Sequence, residues 1–95
     1  MELEVSSNTL VIKGNIKSIN DFQNIKQKVD AMVVNNRLIY INIVDSLSIT
    51  SSVIGYFNKL VLKDSIDIYM NVKNEQLLNL LDDLNLISIF KAKRS

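Results

Sequence analysis

Leu38-Ile39-Tyr40-Ile41-Asn42-Ile43-Val44, running directly into Asp45-Ser46-Leu47-Ser48-Ile49-Thr50-Ser51-Ser52, is the stretch on which the fold turns. The first half is almost continuously apolar and rich in β-branched and aromatic side chains. That composition suits a central strand covered on at least one face and flanked by neighbours. The second half is dense in small hydroxyl residues. Beyond it Val53, Ile54, Phe57, Leu60 and Val61 recur at helical spacing, so the hydroxyl-rich loop feeds the start of a helix.

The same alternation continues in both directions. Upstream, Ile19, Phe22, Ile25, Val29, Met32 and Val33 form the stripe of an amphipathic helix over Ile19 to Val34. Ser18 with Asp21 three residues later has the spacing of a capping box, Asp replacing the usual Glu, and predicts where that helix begins. Before it, Leu3–Val5 and Thr9–Lys13 are short β-prone runs separated by the polar cluster Ser6-Ser7-Asn8, which reads as a hairpin. Gly14-Asn15 ends the second of them. Downstream, Ser65–Met70 reads as a strand, and Asn74–Leu84 as a helix with Leu77, Leu78, Leu81 and Leu84 on one side. Leu86–Phe90 is a short apolar segment that closes the chain as a strand or a turn, and the basic residues after it, 91–95, are expected to fray.

The order is therefore β-β-α-β-α-β-α with a small closing segment. Helices between strands imply parallel pairs, and the opening hairpin adds an antiparallel one. The expected fold class is α/β: one domain over residues 1–95, a mixed sheet of four to five strands with its helices largely on one face. The chain has 95 residues and 47% hydrophobic content, enough for one core without metal or disulfide support.

Composition also narrows the function. Without cysteine there is no disulfide or thiolate metal site, and without histidine the commonest general base and metal ligand are missing. The acidic start Met1-Glu2-Leu3-Glu4 does not resemble a secretory signal, and no apolar run has the length of about 20 residues that a bilayer requires. A cytoplasmic protein that inserts in no membrane is expected. A net charge of +1 argues against nucleic acid as a partner, because phosphate binding depends on clustered cations; Lys91, Lys93 and Arg94 form the one basic cluster and read as solvated tail.

The carboxylates offer little for catalysis. Asp45, Asp64 and Asp67 stand alone, and the adjacent Asp82 and Asp83 point in different directions on a helix, which suits a solvated face better than an acid/base dyad. Lys17 and Lys59 read as surface charges, and Tyr40, Tyr56 and Tyr69 as packing residues with wet hydroxyls. No enzyme, cofactor or metal site is expected. The hydroxyl-rich loop stands out by position, since a serine at a helix start faces free N–H groups and the positive end of the dipole. The plain alternative is that Thr50 or Ser51 is simply the N-cap.

Residues 40–57, Tyr-Ile-Asn-Ile-Val-Asp-Ser-Leu-Ser-Ile-Thr-Ser-Ser-Val-Ile-Gly-Tyr-Phe, resemble without a gap the central signature of STAS domains, the family of bacterial anti-sigma factor antagonists. There a strand leads through a loop to Asp-Ser-Ser-Gly-Leu-Gly and an amphipathic helix. Val11–Ile16 sits where the family has a strand closing in Gly-Glu-Leu-Asp, and Leu84–Phe90 resembles its Thr-Gly-Leu-x-x-Leu-Phe. The resemblance implies a partner-switching module of bacterial signal transduction and transcription regulation, itself a monomer. It would bind an anti-sigma factor with a histidine-kinase-like ATPase fold, and a PP2C-type phosphatase would reverse the modification. Ser51 falls on the family's phosphorylated serine, with Ser52 as the neighbouring candidate, and Thr50, Ser51, Ser52, Val53, Gly55 and Tyr56 on its partner-binding face.

The sequence departs from that pattern at its acidic positions. Thr50, Asn42 and Lys17 stand where the family carries acids around the serine, and Val53 replaces its first glycine. These changes work against recognition by a kinase but also lower the repulsion that a phosphate would meet. They leave room for a second expectation: an unphosphorylated scaffold subunit of a transporter complex or a sensory assembly.

Overall fold

A computed structural model describes residues 1–95. The elements are β1 (Glu2–Ser6), β2 (Thr9–Lys13), α1 (Ile19–Val33), β3 (Leu38–Ile43), α2 (Ser51–Leu62), β4 (Asp67–Val72), α3 (Glu75–Asp83), α4 (Ile87–Phe90) and β5 (Lys93–Arg94). The strands form one mixed α/β sheet in the order β1-β2-β3-β4-β5. β1 is antiparallel to β2, with Glu2 opposite Lys13 and Ser6 opposite Thr9; β2, β3, β4 and β5 are mutually parallel.

Register explains how the sheet is two-faced. Leu10 pairs with Ile41 and Ile12 with Ile43; Ile39, Ile41 and Ile43 pair with Ile68, Met70 and Val72, and all of these side chains are buried. Side chains alternate along a strand, so the intervening Thr9, Val11, Tyr40, Asn42, Tyr69 and Asn71 share the opposite face. That face carries no helix; it is half-exposed and polar, with Tyr40 stacked on Tyr69 and the Asn71 amide donating to Asn42 Oδ1 at 2.8 Å. Ile25, Val29 and Met32 of α1, Val53, Phe57 and Leu60 of α2, Leu77 and Leu81 of α3 and Phe90 of α4 complete a single apolar cluster on the other. Burying side chains of this size contributes about 1.5–3 kcal/mol each.

Several local expectations are corrected by packing. β4 starts at Asp67 and not at Ser65, because Ser65 has a positive φ of 56° in the turn after α2. Ile19 at the first turn of α1 and Leu84 just beyond α3 lie in solvent, although periodicity assigned both to apolar stripes. Leu86–Phe90 is neither strand nor turn: Asn85 at φ 59° ends α3, and Ile87–Phe90 forms one helical turn that sets Phe90 edge-on against Phe57. The basic tail has a place in the sheet. Lys91 adopts φ 47°, Ala92 is buried, and Lys93–Arg94 extend the sheet beside Asn71–Val72, with the Ser95 amide donating to Val72 O at 3.1 Å.

Candidate functional site

Because β2, β3 and β4 are parallel, the chain leaves all of them at the same edge of the sheet, and α1, α2 and α3 all begin there. The loops after β2 and β3 are stitched together along this edge. The Gly14 amide donates to Asp45 Oδ1 at 2.6 Å, and Ser46 Oγ donates to Gly14 O. The Leu47 amide donates to Asn15 Oδ1 at 2.9 Å, and Ser48 Oγ reaches Ile16 O at 3.5 Å. Gly14 is needed at this crossing, since it has φ 87° and a Cβ there would lie 3.1 Å from the Met1 backbone.

Much of the hydroxyl density that marks this loop in the sequence is thus structural. Ser46 is fully buried and satisfied within the clasp. Asp45, Ser46, Ser48 and Asn15 were not readable as one unit, because the bonds join positions about 31 residues apart that meet only when β2 and β3 become neighbours.

Thr50, not Ser51, caps α2. Thr50 Oγ1 accepts from the Val53 amide at 3.3 Å, and Thr50 O takes the Ile54 amide at 3.1 Å. Ser51 and Ser52 occupy the first two helical positions with exposed side chains that make no hydrogen bond within the protein, and no acidic residue stands in this first turn. Their hydroxyls lie among backbone N–H groups aimed outward at the positive end of the helix dipole, a setting that stabilises an anion.

The other residues expected on this face divide sharply. Gly55 lies on the exposed side of α2, one turn beyond Ser51, with open space where a Cβ would be. Val53 is fully buried and Tyr56 almost so, which corrects their assignment to a partner-binding surface: both point into the core. The Tyr56 hydroxyl donates to Asp30 Oδ1 at 2.5 Å across the α1–α2 contact. Burial raises the Tyr56 pKa above its ordinary value, and the hydrogen bond to and charge of Asp30 add to the effect. For Asp30, burial works upward but is outweighed by hydrogen bonds from Lys26 and Tyr56 and by nearby lysine charge, leaving its carboxyl below the usual range.

The positions that depart from the acidic pattern sit on different elements: Thr50 caps α2. Asn42 is on the helix-free face, its carbonyl taken by Asn71; Lys17 precedes α1, its amide donating to Asp21 Oδ2 at 3.0 Å. No group of three His, Cys, Asp or Glu side chains converges to hold a metal ion, and no helix is long and apolar enough to cross a membrane. The chain matches no family model, and no curated protein is similar to it.

Proposed function

We propose that the protein is a docking module of a bacterial partner-switching system, similar to the anti-sigma factor antagonists, with Ser51 as its phosphorylated residue. One observation carries this reading: Ser51 is exposed at the first position of α2 and free of the capping duty, which Thr50 performs. A kinase can therefore reach the hydroxyl without dismantling the helix start. The phosphate it would add gains from the dipole and from the absence of acidic residues in that turn.

The docking surface on this reading is Thr50, Ser51, Ser52 and Gly55. Bare Gly55 permits close approach of a partner backbone, and a doubly charged group on Ser51 expels the partner by bulk and charge without refolding the module. The partner would be an anti-sigma factor with a histidine-kinase-like ATPase fold, opposed by a PP2C-type phosphatase, in the cytoplasm. Neither catalysis nor nucleic-acid binding belongs to this role.

Incubation with ATP and such an anti-sigma factor from the source genome tests it by intact mass and peptide mapping. One phosphoryl group on Ser51, absent from Ser51→Ala, is expected, together with loss of partner binding in Ser51→Asp. The competing scaffold reading draws on Thr50, Asn42 and Lys17 at usually acidic positions. It requires Ser51→Ala and Ser51→Asp to bind the partner equally well, with no phosphate transferred.

A further inference from the structure

Beside the start of α2 lies a surface that the phosphorylation reading does not use. A groove of about 550 Å³ opens between Leu47 of the β3–α2 loop and the outer side of α3, lined there by Glu75, Gln76, Asn79, Leu80 and Asp83. Leu47 is 49% exposed, Leu80 38% and, one turn further along, Leu84 48%. Leu47 is not a floppy loop residue, because its amide is fixed by Asn15 within the clasp.

The charge around these leucines is one-sided. α3 contains Glu75, Asp82 and Asp83 and no cation. Glu75 is paired with Arg94 at 3.5 Å, but neither Asp82 nor Asp83 forms an ion pair. Both stand in the last turn of α3, where the negative end of the dipole disfavours a carboxylate and where this helix has no basic residue to offset it. Of the two, Asp83 lines the groove with Leu47 and Leu80, and exposed leucines next to a carboxylate placed against the local field call for a ligand that is apolar and cationic together.

We propose that this groove seats a basic amphipathic segment of the docking partner, an aliphatic side chain resting between Leu47 and Leu80 while a Lys or Arg side chain meets Asp83. The inference rests on the docking-module reading and adds the chemistry of the partner. It makes the contact bipartite: the groove selects a cationic partner, and the turn at Ser51 decides whether that partner stays. Selection by Asp83 weakens with salt because it is exposed.

The test uses the whole chain, isotope-labelled, titrated with three synthetic helical peptides of equal length and followed by amide shifts. One peptide has a Leu face and a Lys face, the second replaces Lys by Glu, and the third replaces Leu by Ser. Binding of the Leu/Lys peptide with shifts centred on Leu47, Asn79, Leu80 and Asp83 is expected, weakened about tenfold by Leu47→Ser combined with Leu80→Ser. Asp83→Asn should weaken it several-fold and remove most of its salt dependence, whereas Asp82→Asn, outside the groove, should change it less. Leu47, Leu80, Asp82 and Asp83 are exposed, so unchanged amide spectra of the free variants report an intact fold.

The proposal is overturned if the Leu/Glu or Ser/Lys peptide binds equally well or if the shifts map elsewhere. It is equally overturned if Asp83→Asn binds unchanged, or if these residues shift with protein concentration alone, which would make the occupant a second copy. Failure here is separable from failure of the switch. Without the groove, phosphoryl transfer to Ser51 still proceeds; without the switch, the Leu/Lys peptide still binds and Ser51 stays unmodified.

Discussion

The starts of α1 and α2 lie along the same edge of the sheet and are built in opposite ways. At α1, Ser18 Oγ accepts from the Asp21 amide at 3.1 Å, while Asp21 Oδ2 accepts from the Ser18 and Lys17 amides at 3.2 and 3.0 Å. The hydrogen bond from the Lys17 backbone lowers the Asp21 carboxyl most; burial opposes it, and the bonds from Ser18 tip the balance, leaving the group below the usual carboxylate range. At α2, Thr50 satisfies one amide and no carboxylate is present. α3 falls with α1, since Asn74 caps it and Glu75 supplies a first-turn acid. Among these three helices, only α2 leaves its positive end without a negative charge. The contrast separates a helix start that completes itself from one that favours an anion from outside.

The comparison breaks most severely if α2 is not held by its buried side. Val53→Asp puts a carboxyl into a fully apolar site and should cost about 4 kcal/mol, read as a lowered urea midpoint. A surface position at Val53, as a partner-binding role would need, predicts a negligible change instead.

The self-completed start should be costlier to damage than the open one. Asp21→Ala is expected to lose about 1.5 kcal/mol and Thr50→Ala about 1 kcal/mol, because the first leaves the backbone amides of both Lys17 and Ser18 unpaired and the second only that of Val53. The difference should depend on pH. The folded-state pKa of Asp21 lies below its unfolded value, so its contribution is complete above the unfolded pKa and is lost as pH falls through the folded one. Asp21→Asn should therefore be less stable than the parent at neutral pH and converge with it below about pH 4. Parallel stability curves for the two proteins down to pH 2 would contradict the assigned role.

The smallest effect sharpens the contrast directly. Ser51→Asp supplies the charge that α2 lacks and should raise stability by about 0.5 kcal/mol at low ionic strength, fading with salt. Asn20→Asp, in the first turn of α1, should gain less because Asp21 already serves that end. Equal gains in thermal denaturation would mean that the two helix starts do not differ electrostatically.

Legibility in the sequence followed the range of the interactions. The Ser18–Asp21 box, the hairpin about Ser7 and the apolar stripe of α1 depend on residues a few positions apart, and each is present. The helical spacing of Val53, Phe57 and Leu60 was also legible, and it marks the buried side of α2. The burial of Tyr56 was not, since a tyrosine there suits either face until Asp30 of α1 arrives beside its hydroxyl. Nor was α4: Ile87-Ser88-Ile89-Phe90 is too short for period two and period 3.6 to be told apart, and its docking on Phe57 makes it helical.

Taken alone, the amino-acid order determined the alternation of strands and helices, the two-faced strands and the place where each major helix begins, because these depend on local spacing and on which side chains avoid water. Only the assembled sheet decided the rest. Stacking β2 against β3 joined Gly14 to Asp45 and Ser46, and laying β4 beside the tail made a strand of Lys93–Arg94. The same packing set Leu47 across a groove from α3, a juxtaposition that no short-range pattern encodes because its partners are distant in the chain.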